Sequence, residues 1–123
     1  MKTLSGIQTG VAGENADATR SVGIQVKTCQ GTRPIWMMNA KAEKDVSENL
    51  FYIFVCLPPE GLPSFYVVPR ATVATYVTKD HRTWKASLGR GGRPHADSNI
   101  RQFRDPNNVY KDRWDLLGLS EVV

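Results

Sequence analysis

Phe51-Tyr52-Ile53-Phe54-Val55-Cys56-Leu57 is the segment that most restricts what this chain can fold into. It is a nearly unbroken run of aromatic, β-branched and aliphatic residues, the composition of a strand covered on both faces. Such a strand needs neighbours on either side, so it is expected at the centre of a sheet. Pro58-Pro59-Glu60-Gly61-Leu62-Pro63 turns the chain, and Phe65-Tyr66-Val67-Val68 returns as an antiparallel partner.

Upstream, Val22, Ile24 and Val26 alternate with Ser21, Gly23, Gln25 and Lys27. That period of two predicts a strand with one buried face. Pro34-Ile35-Trp36-Met37-Met38 reads as a short strand, with Asn39 capping a helical turn that runs to Lys44. Pro69 suits the first turn of a helix, and Val73, Tyr76 and Val77 carry its spacing over about 70–78, with a further turn at Thr83-Trp84-Lys85. Leu88-Gly89-Arg90-Gly91-Gly92-Arg93-Pro94 is a basic, glycine-rich loop. Val109, Tyr110, Trp114 and Leu117 predict a closing helix after Pro106. Residues 1–20 have isolated apolar positions, so any strand there is short and lies on an edge, followed by a turn at Asn15-Ala16-Asp17-Ala18.

The whole is the size of one domain: 123 residues, 41% of them apolar and 23% charged. These proportions fit a folded globular chain and not a disordered one. No segment reads as a signal peptide or a membrane span, which makes the cytoplasm the expected location. The two cysteines, Cys29 and Cys56, lie far apart and outside any zinc-type spacing, so both are expected reduced, with Cys56 in the core.

Charge is distributed unevenly. Between Arg70 and Arg113 there are ten Lys or Arg against four Asp, a balance of +6 in a chain whose net charge is +4. Arg82, Lys85, Arg90, Arg93, Arg101 and Arg104 are the candidate contacts to a phosphate backbone, although a solvated face of mixed charge would look similar. His81 and His95 have no ligand-spaced partner and read as structural. Trp36, Trp84 and Trp114 read as core or interface aromatics.

Five segments in order carry a resemblance: Ile24-Gln25-Val26-Lys27-Thr28, Asn49 to Val55, Phe65-Tyr66-Val67-Val68-Pro69, His81-Arg82-Thr83-Trp84 and Asp112-Arg113-Trp114-Asp115-Leu116-Leu117. Over about residues 22–117 the chain resembles uncharacterised bacterial proteins related to the PD-(D/E)XK, or restriction-endonuclease-like, nuclease superfamily. The resemblance implies an α/β (α+β) domain, with a mixed central sheet flanked by helices. In that superfamily an acidic residue and an (E/Q)xK motif bind a divalent metal such as Mg²⁺ and position an attacking water. Gln25 and Lys27 stand at the (E/Q)xK, and one residue apart on a strand they project to one face.

The family's acidic residue lies a dozen or so positions earlier, where this chain reads Thr9-Gly10-Val11-Ala12-Gly13. The nearest acids, Glu14 and Asp17, are the candidate metal ligands. No counterpart of the family's opening Glu-bearing helix is found, so the chain reads as truncated at its start. The leading expectation is a degenerate nuclease-like domain that binds DNA without cleaving it and needs no cofactor. One alternative is a dimeric interaction module, to which Trp36, Met37 and Met38 contribute. The other is an active Mg²⁺-dependent endonuclease using Glu14 or Asp17 with Gln25 and Lys27.

Overall fold

A computed structural model describes residues 9–14, 20–44 and 48–119. The apolar run predicted to be central is central: β4 (Leu50–Leu57) pairs with β2 (Ser21–Gln30) on one side and β5 (Ser64–Pro69) on the other. With β1 (Thr9–Glu14) on the edge, the sheet order is β1-β2-β4-β5. β2 and β4 are parallel while the other two pairs are antiparallel, so the sheet is mixed. Parallel neighbours need a crossover, and residues 31–49 provide it. That segment contains β3 (Ile35–Asn39) and a 3₁₀ turn, Ala40–Glu43, whose first free amide, that of Lys41, donates to the Asn39 Oδ1 at 2.9 Å.

Pro69 ends β5, and α1 (Arg70–Ala86) starts at once and runs without a break. The expected 70–78 helix and the turn at 83–85 are thus one element. Sequence periodicity fades after Val77 because Val77 is the last buried residue of α1. β3 pairs antiparallel with β6 (Ile100–Arg104), forming a separate two-stranded ribbon. The fold is α+β: one mixed sheet, one α-helix among the described residues, and a ribbon. No helix of the described residues is long and apolar enough to cross a membrane.

The two faces of the sheet bury different things. On one, Tyr52, Phe54 and Cys56 of β4 and Tyr66 and Val68 of β5 meet Val73 and Val77 of α1, Trp36 and Met38 of β3, and Phe103 of β6. The rings form a connected stack: Phe54 lies 4.8 Å from both Trp36 and Phe103, centroid to centroid, and 5.1 Å from Tyr52. Offset and edge-on aromatic pairs contribute beyond their buried area, by about 0.5–1.5 kcal/mol each. On the other face Val22, Phe51, Val67 and Leu117 make a smaller cluster.

The expected closing helix is absent. Asp105, buried, accepts from the amides of Val109 at 2.9 Å and Tyr110 at 2.8 Å, which folds the chain into turns. Asn108 and Asp112 take positive φ, 54° and 55°, which interrupts any helical run. The segment instead docks along β5, where Val67 N–H donates to the Tyr110 carbonyl at 3.0 Å and Asp112 N–H to the Phe65 carbonyl at 2.9 Å. It covers an edge that would otherwise be open to pairing. A 3₁₀ turn, Trp114–Leu117, follows among the described residues.

Candidate functional site

Gln25 and Lys27 project from β2 on the face that carries the aromatic core, at its polar rim. The helix head comes back to them. Arg70, the first residue of α1, donates from Nη1 to the Gln25 Oε1 at 2.7 Å, and its guanidinium lies 5.1 Å from the centre of the Tyr52 ring. The amide oxygen that the resemblance assigns to a metal ion is therefore a ligand of an arginine. Lys27 Nζ donates to the Met37 carbonyl at 3.3 Å, and burial lowers its pKa from the ordinary 10.5.

Lys27, Arg70, Lys41, Asn39, Met38, Ala42 and Tyr52 line a hollow of about 80 Å³. Three of its walls are cationic, and none of its lining residues is a carboxylate. The arrangement suits an anionic oxygen better than a hard cation, which takes carboxylate ligands.

The strand register places the backbone of β1 opposite Gln25. Gly10 is the β1 residue opposite Gln25, and Ala12 is opposite Gly23. Glu14 pairs with Ser21, four residues from Gln25 along the strand, a separation of about 13 Å. Asp17 lies outside the described residues. Among the described residues no group of three His, Cys, Asp or Glu is arranged to hold a metal.

The candidate phosphate contacts divide into two sets. Arg82, Arg90 and Arg93 are exposed, and Lys85 is half exposed, reaching Asp97 at 3.4 Å. The glycine-rich loop that bears Arg90 and Arg93 is a closed knuckle. Gly89 N–H donates to the Arg93 carbonyl at 2.6 Å and Gly92 N–H to the Gly89 carbonyl at 3.1 Å. Gly91 and Gly92 take φ of 69° and 74°, which only glycine adopts readily.

The knuckle is fixed to α1 by aromatic stacking, with Trp84 between His95 at 4.1 Å and His81 at 5.4 Å. A Cβ at Gly89 would come within 3.1 Å of the His95 ring, a contact tight enough that the ring would have to give by a few tenths of an ångström. Both histidines thus have partners within the fold.

Arg101 and Arg104 belong to the other set. Arg101 is buried, with its Nε bonded to Glu43 and its Nη1 donating to the Ser98 carbonyl at 2.6 Å. That charge is paired inside the fold. Arg104 pairs with Asp80 at 2.9 Å. The dimer expectation changes too, because Trp36 and Met38 are core residues and only Met37 of that trio faces outward.

Asp97 organises the surface between the two basic regions. It accepts from the Ser98 amide at 2.8 Å, from His81 at 3.1 Å and from Lys85. These bonds, the Ser98 amide first, hold its carboxyl at about 2 against an ordinary 3.8. A carboxyl depressed on folding stabilises above its unfolded value and loses that contribution as pH falls through its folded one. Acidification from about pH 4 to pH 2 is therefore expected to release His81 and perturb Trp84 fluorescence. Asp97→Asn should remove that transition, and its persistence would exclude Asp97 as the titrating group.

Two further hollows lie near this surface. Ala40, adjacent in sequence to Asn39 and Lys41, lines one with Asp97, Ser98, Asn99 and Arg101. Another, about 210 Å³, runs between α1 and β6 past Asp80, His81, Trp84 and Arg104. The sequence does not show Arg70 bonded to Gln25, or Arg70 and Lys41 lining one hollow with Lys27. Pro69 was the available signal, since it ends a strand and starts a helix beside the Gln25 strand. No family model, curated protein or solved structure matches this chain.

Proposed function

We propose that the chain is a nuclease-like domain that has lost metal-dependent cleavage and binds the phosphate backbone of DNA. The observation that carries this reading is the capture of Gln25 by Arg70, which lines, with Lys27 and Lys41, a hollow that has no carboxylate, beside the residues to which the resemblance assigns Mg²⁺. Arg82, Lys85, Arg90 and Arg93 supply the longer-range electrostatic contact, with the knuckle holding two of them away from neighbouring acids. Contacts of this kind position a duplex and carry no sequence information.

Fluorescence anisotropy against duplex and branched DNA tests the proposal. With four phosphates neutralised, log Kd should vary with log salt with a slope near 3.6, so that affinity falls about 10²-fold between 50 and 200 mM salt. The double substitution Arg90→Ala, Arg93→Ala should reduce that slope by about 2. Absence of binding at low salt to every DNA form, or an unchanged slope in the variant, would sink the binding half. Plasmid cleavage with Mg²⁺ that Lys27→Ala abolishes would sink the other half.

A further inference from the structure

Cys29 and Cys56 are register partners on the parallel strands β2 and β4, and their sulfurs lie 3.2 Å apart. Neighbouring strands run about 4.8 Å apart, within the roughly 4.4–6.8 Å between Cα atoms that a disulfide bridges. Both thiols also share one acceptor, the Arg33 carbonyl, at 3.4 Å from Cys29 and 3.5 Å from Cys56. Two side chains bonded to the same oxygen are held facing each other. Their exposure differs: Cys29 is half-buried and Cys56 is buried. Cys29 is therefore the more accessible of the two to a solute.

We propose that Cys29 and Cys56 form a modification site for hydroperoxides, at which the two thiols become a cross-strand disulfide. The Cys29 sulfur attacks one peroxide oxygen and the O–O bond breaks, giving a sulfenic acid and, from hydrogen peroxide, one water. The Cys56 sulfur then attacks the Cys29 sulfur. The S–O bond breaks, and the hydroxyl leaves as a second water with the Cys56 proton. Two thiols are oxidised by two electrons, and the peroxide is reduced by the same two.

The order of attack follows from the environment. Burial and the neighbouring Cys29 push the Cys56 thiol up to about 12, which leaves Cys56 a poor first nucleophile. Its role is to resolve the sulfenic acid. The bridge closes a loop from 29 to 56 that carries β3 and the Ala40–Glu43 turn, so it ties down the segment bearing Lys41.

The test treats the full chain with hydrogen peroxide, then unfolds and alkylates it before mass spectrometry. The expected product is a monomer lighter by two hydrogens, resistant to alkylation, with peptides containing Cys29 and Cys56 linked. It should form faster in the folded chain than in urea. Cys56→Ser should trap a sulfenic acid at Cys29 that dimedone labels, whereas Cys29→Ser should leave Cys56 unoxidised. Sulfinic acid at Cys29 without a cross-link, bridges only between chains, or equal rates in folded and unfolded chains would overturn the proposal.

Discussion

Arg101→Met is expected to lower the unfolding free energy by about 3 kcal/mol, while leaving DNA affinity per folded molecule unchanged. The reason is the position of the charge. The Arg101 side chain is 9% exposed, and its guanidinium is shared between Glu43 and the Ser98 and Ile100 carbonyls. Removing it strands a carboxylate that sits over the junction of β6 with the Ala40–Glu43 turn. The Glu43 side chain remains 26% exposed, so water recovers part of the loss and the effect falls at the lower end of the range for broken buried pairs.

Replacing both partners is a different experiment. Glu43→Leu in the Arg101→Met background should recover most of the loss, because an apolar pair of similar volume needs no compensation. Urea unfolding of the two singles and the double measures this directly. A single variant within about 0.5 kcal/mol of the parent, as expected for the exposed Arg82→Ala, would show that Arg101 is a surface residue after all.

Arg101 also shows how far residue patterns reach in this chain. β2, β4 and β5 were legible because their apolar positions alternate or run together, and each is flanked by a turn residue or proline. The Asn39 cap was legible because capping is local chemistry. β6 was missed since Arg101 occupies an inward position beside Phe103, and a buried arginine reads as a polar break in a strand. The expected closing helix fails for a related reason: Asp105 directs the backbone through a buried carboxylate, and no periodicity records that.

At the site, the shared direction of Gln25 and Lys27 follows from strand geometry alone. What stands opposite them does not. Arg70 is 45 residues from Gln25 along the chain, and their contact exists only because α1 leaves β5 at the same end of the sheet. A count of positive charges likewise cannot tell Arg90, on the knuckle, from Arg101, in the fold. Burial decides which cations can meet a phosphate.

Trp36→Ala is expected to be the most damaging single substitution, costing about 3–5 kcal/mol. Trp36 is 1% exposed and touches Phe54, Tyr66 and Phe103. Its Nε1 donates to the Val55 carbonyl at 3.0 Å, a bond from the ribbon to the central strand. Truncation leaves a ring-sized void and removes that bond together. Against a typical total of about 5–15 kcal/mol, the loss is a large part of the stability, and the melting temperature should fall by roughly 10–20 °C. Trp36→Phe keeps a ring in the stack but not the N–H, so its cost should exceed the roughly 1 kcal/mol of the hydrogen bond only by the smaller ring's void. Thermal and urea unfolding followed by circular dichroism separates the two. A Trp36→Ala loss near that of Trp36→Phe would mean that the indole N–H, and not the aromatic stack, joins the β3–β6 ribbon to the sheet.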